Sequence, residues 1–70
     1  MWFDLIETFD TREEAEEARA IIQAQYPEPA RNLSIDRDAE LGMHDLNITF
    51  NCIEDVNYWC SRMREVLAQR

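Results

Sequence analysis

Few residues in this chain could carry out covalent chemistry. His44 is the single histidine, and Cys52 and Cys60 are the only thiols among 70 residues. Nucleophilic catalysis would therefore need one of these cysteines activated by His44, within hydrogen-bond reach. Cys52 lies eight positions beyond His44 in a segment that alternates like a strand, which at about 3.3 Å per residue puts the two roughly 26 Å apart. Cys60 falls on the inward side of a helical pattern. The spacing points away from an enzyme, and no catalytic residue is expected.

The same inventory disfavours metals and cofactors. Structural zinc takes four Cys or His ligands in close pairs, and only three such residues exist. Asp36, Asp38 and Glu40 stand at alternate positions, as at the start of a calcium loop, but such a loop needs glycine at its sixth position and glutamate at its twelfth. Those positions hold Leu41 and Asn47. If Cys52 and Cys60 share one helix, their α-carbons are about 12 Å apart, beyond the roughly 4.4–6.8 Å that a disulfide spans. Two free thiols in a reducing, cytoplasmic compartment are expected.

Charge is the strongest compositional signal. Fifteen Asp and Glu face seven Arg and no Lys, for a formal net charge of −8. Direct binding of nucleic acid is disfavoured by repulsion, whereas a basic protein surface is attracted. Apolar residues make up 46% of the chain and charged residues 31%, which is globular rather than disordered usage. No apolar stretch is long enough to cross a bilayer, and the opening Met-Trp-Phe-Asp has no leader-type pattern, so neither membrane nor export is expected.

The elements that must position these residues read as strand, helix, strand, strand, helix in one acidic α+β domain. Trp2 to Phe9 alternates, with Phe3, Leu5 and Phe9 assigned inward and Trp2, Asp4, Ile6 and Thr8 outward. Thr11 with Glu14 three residues on makes a capping box. The helix it opens, roughly 12 to 26, repeats Ala15, Ala18, Ile22 and Tyr26 and ends at Pro27 and Pro29. Leu33, Ile35 and Arg37 alternate with Asn32, Ser34, Asp36 and Asp38. His44 to Cys52 alternates between Leu46, Ile48, Phe50 and polar neighbours. These two strands form a hairpin through Ala39 to Met43, where Gly42 can supply a positive φ. The second helix, about Ile53 to Ala68, buries Val56, Trp59, Cys60, Met63 and Val66 or Leu67.

A shift of 41 positions superposes the two strand–helix units. It pairs Asp4 with Asp45, Leu5 with Leu46, Thr8 with Thr49, Phe9 with Phe50 and Glu13 with Glu54. The order βαββα resembles a truncated ferredoxin-like fold: a three-stranded antiparallel sheet of order 1-3-2 with two helices on one face. The fourth strand of that fold is missing, which leaves the first strand as an open edge. Glu7 on it reads as an inward charge of the kind that defends such edges.

The sheet face opposite the helices is then assigned Trp2, Asp4, Ile6, Thr8, Ser34, Asp36, Asp38, Asp45, Asn47, Thr49 and Asn51. It has no Arg or Lys, whereas an RNA-recognition sheet pairs aromatics with basic groups. Trp2 and Ile6 inside a carboxylate rim, with Asp4, Asp36, Asp38, Asp45 and Asn47, suit a protein partner instead. In size and charge the chain resembles small acidic phage inhibitors such as anti-CRISPR proteins and DNA mimics. That resemblance implies an inhibitor of a basic nucleic-acid-binding protein. The alternative expectation is a homodimeric structural or regulatory subunit joined through the first strand.

Overall fold

A computed structural model describes residues 1–70 and contains β1 (Trp2–Phe9), α1 (Arg12–Gln25), a 3-10 turn (Pro29–Asn32), β2 (Leu33–Asp38), β3 (Met43–Phe50) and α2 (Ile53–Ala68). Each boundary has a local cause. The Thr11 hydroxyl accepts the Glu14 N–H at 3.2 Å and itself lies 3.1 Å from the Glu14 carboxylate, so the first turn of α1 starts with a satisfied donor. Pro27 follows the C-cap Tyr26, and Pro29 opens the short 3-10 turn that leads into β2. Gly42 takes φ 68 and donates its N–H to the Asp38 carbonyl at 2.8 Å. The Asp38 carboxylate accepts from the N–H groups of Glu40 and Leu41, closing the β2–β3 hairpin as an Asx-type turn. Cys52, assigned above to the third strand, is instead the N-cap of α2.

The three strands form one antiparallel sheet of order β1-β3-β2, and both helices pack on one face of it. The fold is the βαββα arrangement expected. The 41-residue repeat is also present in the element bounds: Trp2 maps to Met43, Phe9 to Phe50, and the first helical residue Arg12 to Ile53. Its helical core positions coincide, since Ala15 and Val56 are both buried, as are Ile22 and Met63.

Pairing between β2 and β3 is regular, whereas β1 carries a bulge. Leu5 stands opposite Asn47, and the next ladder partners are Glu7 and Leu46, so Ile6 is the extra residue. A bulge of this kind shifts the alternation by one position. Thr8 and Phe9, after the bulge, face as the alternation predicts. Before it, every side chain is on the face opposite to the one expected.

Fourteen apolar residues form a single core between sheet and helices. Leu46 and Ile48 from β3, Ile22 from α1 and Met63 from α2 are wholly enclosed. Each such side chain is worth about 1.5–3 kcal/mol against exposure. Ile6 is in this core at 6% exposure, so the bulge converts an expected surface residue into a packed one. No polar or charged residue is buried.

Candidate interaction surface

Directly paired residues in an antiparallel ladder project to the same side of the sheet. Asn47 and Asp45 alternate with the enclosed Leu46 and Ile48, so they and their partners define the face away from the helices. Their partners are Leu5, Ser34, Thr8 and Asp36; Phe3 joins them opposite Thr49, and Asp38 opposite Met43. Of the expected binding residues, Asp36, Asp38, Asp45 and Asn47 are therefore brought together on this open face.

Trp2, Asp4 and Ile6 are not on it, and their assignment requires correction. Trp2 lies opposite Phe50 and Asp4 opposite Ile48, on the helix side of the sheet, and Ile6 is buried. Strict alternation placed them outward because it allowed no bulge. The apolar positions of the open face are filled by Phe3, 74% exposed, and Leu5, 38% exposed. Trp2, half exposed at the end of the sheet, still contributes to a shallow hollow lined also by Phe3, Ser34, Asp36, Asn47 and Thr49. An apolar centre beside carboxylates thus exists, with its anchors one residue along from those expected. One sequence signal pointed to this: Leu5-Ile6 places two large apolar residues side by side, which simple alternation cannot accommodate.

The charges on this face are arranged at a cost to the fold. Asp36 and Asp45 are direct cross-strand partners, a like-charge pairing that weakens a ladder. Neutral donors hold each carboxylate. Asn47 Nδ2 donates to Asp36 Oδ2 at 2.9 Å and the Ser34 hydroxyl to the same oxygen at 3.1 Å, while the Thr8 hydroxyl donates to Asp45 Oδ1 at 3.1 Å. None of the strand residues on this face is basic. The four ion pairs of the protein, Arg12 with Glu16, Arg31 with Glu28, Arg64 with Asp4 and Arg70 with Glu7, all involve other carboxylates. The carboxylates of the open face are left without a cation.

On the opposite side, α2 reaches the free edge of β1. Arg64 donates from Nη2 to the Leu5 carbonyl and from Nε to the Ile6 carbonyl at 3.4 Å. The Cys60 thiol lies 3.6 Å from the same Leu5 oxygen, and the Leu5 N–H is taken by Asp4 Oδ1 at 2.8 Å. Glu7, expected as an inward-pointing edge charge, faces Leu46 across the ladder and is bound by Arg70 at 2.6 Å.

The chemically versatile residues stay dispersed. His44 opposes Phe9 and Arg37 at the hairpin end of β3, with Nδ1 buried and unpartnered, while Cys52 follows the far end of that strand. Cys52 and Cys60 are free thiols, the first exposed and the second buried. Burial raises the Cys60 pKa above its ordinary value; the nearby Arg64 charge pulls the other way, and Asp4 adds to the rise. Glu54 is held below the usual carboxylate range by the hydrogen bond from the Cys52 thiol at 2.7 Å and by its own backbone N–H. No three His, Cys, Asp or Glu side chains converge as a metal site would require. No helix is long and apolar enough to cross a membrane.

Searches against protein-family models, curated proteins and solved structures gave no match to this chain.

Proposed function

We propose that the protein is a non-enzymatic binding module whose open sheet face docks onto a basic protein surface. The observation that carries this reading is the Asp36–Asp45 pair: two carboxylates set directly across a ladder, with no cation on their face, beside the exposed side chains of Phe3 and Leu5. Such an arrangement weakens the isolated chain and is relieved by an incoming guanidinium or ammonium group. The carboxylates accelerate and orient association, and Phe3 supplies the desolvated anchor that slows dissociation.

The excess of eight negative charges favours partners whose own surface has evolved to meet phosphate, which makes an inhibitor of a nucleic-acid-binding protein the specific form of this proposal. The two free thiols support a reducing, cytoplasmic setting. The competing reading, a homodimer paired through β1, has less support, because Arg64 and Asp4 already occupy the Leu5 peptide groups that such pairing would use.

The test is capture of nucleic-acid-binding proteins from a host lysate, repeated with Asp36→Asn/Asp45→Asn and with Phe3→Ala. The reading expects capture to be competed by added DNA or RNA. It also expects the paired aspartate change to slow association and flatten its salt dependence, and Phe3→Ala to speed dissociation. Retention of full affinity by both folded variants would overturn it.

A further inference from the structure

β1 is an edge strand with Trp2, Phe3 and Leu5 all exposed, the type of edge that pairs with other chains unless something prevents it. One self-pairing register is favourable on its side chains. If Phe3 lies opposite Phe3 of a second copy, Leu5 meets Met1 of that copy, and Met1, Phe3 and Leu5 stack on one face. That register needs the Leu5 N–H and C=O, because these are the groups Leu5 turns away from β3.

Both groups are already used within the chain. Asp4 Oδ1 accepts the Leu5 N–H at 2.8 Å, Arg64 Nη2 donates to the Leu5 carbonyl, and Arg64 and Asp4 face each other at 3.8 Å. Arg64 Nε also reaches the Ile6 carbonyl, so one guanidinium satisfies both carbonyls at the bulge. We propose that Asp4 and Arg64 are a guard on the β1 edge that keeps this protein from pairing strand to strand with a second copy of itself. The guard combines two edge defences, a bulge and a charged side chain laid along the strand. Arg64 suits the position because its planar fork can donate to two carbonyls at once, which a lysine ammonium on a flexible stem does poorly. The guard is independent of what the open face binds.

Sedimentation equilibrium on wild type, Arg64→Ala and Asp4→Ala, each checked for native circular dichroism, tests this. Wild type should sediment at its monomer mass of 8.4 kDa into the high micromolar range. Arg64→Ala should move toward twice that mass, with the self-association constant strengthened at least about tenfold, equivalent to about 1.4 kcal/mol. Amide exchange at Phe3 and Leu5 should slow as its concentration rises. Adding Phe3→Arg to Arg64→Ala should restore the monomer, because it puts two cations opposite each other in the proposed register. Asp4→Ala frees the Leu5 N–H without removing the α2 side chain, and should self-associate in the same direction. A wild-type dimer with protected Phe3 and Leu5 amides would overturn the proposal. So would folded Arg64→Ala and Asp4→Ala proteins that stay monomeric at those concentrations.

Discussion

If the Asp36–Asp45 pair is kept for binding rather than for folding, neutralising one member should stabilise the isolated protein. Paired side chains across an antiparallel ladder have β-carbons about 4.5–5.5 Å apart, which puts the carboxylate centres at roughly 6 Å. Two unit charges at that distance in water repel by about 0.7 kcal/mol. At 1 M salt the Debye length falls to about 3 Å and the repulsion shrinks to about 0.1 kcal/mol. Asparagine is the right replacement at either position. Its amide oxygen can still accept from Ser34 and Asn47 at position 36, or from Thr8 at position 45. Asp36→Asn and Asp45→Asn should each raise Tm by about 3–6 °C in low salt, using about 4–8 °C per kcal/mol for a domain of this size. In 1 M salt the gain should largely vanish. The double variant should gain little over either single one, because the second substitution removes a charge whose opponent has already gone. Thermal unfolding followed by circular dichroism at both salt concentrations reads all of this. Gains that add in full would mean that only net charge matters, and no gain in low salt would refute the repulsion itself.

Three further outcomes follow from local geometry. Thr11→Ala removes the cap on the Glu14 N–H and should cost about 1 kcal/mol in urea unfolding. Gly42→Ala meets no steric neighbour, so its cost of about 1–2 kcal/mol should come entirely from holding an L-residue at φ 68; Gly42→Asn should be milder. The buried Cys60 thiol has a folded pKa raised first by desolvation. The corresponding stability is complete below the unfolded thiol pKa of about 8.5 and is lost as pH rises through the higher folded value. Urea midpoints should therefore fall on the alkaline side of about pH 8.5, and Cys60→Val should remove that slope.

The parts of the fold that could be read from the residues are those governed by local rules. The Thr11-Glu14 cap, the Pro27 and Pro29 stop, the turn at Gly42 and the regular alternation of β3 each specify an element without help from distant contacts. Strand order was implied by the resemblance of the βαββα order to a ferredoxin-like fold, and the sheet has that order. The face of β1 could not be read in the same way. Its N-terminal half can present either Phe3 and Leu5 or Trp2, Asp4 and Ile6 to the core, since both sets contain large apolar residues. The choice is settled by tertiary packing: Ile6 fills space beside the helices, and Arg64, 58 positions away in sequence, satisfies the carbonyl that the bulge turns out. The acidic part of the candidate surface was readable because β2 and β3 are regular; its apolar centre was signalled only by the adjacent Leu5 and Ile6, because it depends on one extra residue.

Docking of a basic partner is expected on the open sheet face rather than on α1, where Glu13, Glu14, Glu16 and Glu17 are all exposed. Its most direct test is an NMR titration of the isotope-labelled protein with an arginine-rich peptide carrying one leucine. Amide shifts should concentrate on Phe3, Leu5, Asp36, Asp45 and Asn47, and should be lost in the Asp36→Asn/Asp45→Asn variant. Shifts centred instead on Glu13, Glu14, Glu16 and Glu17, with the sheet face unmoved, would contradict it.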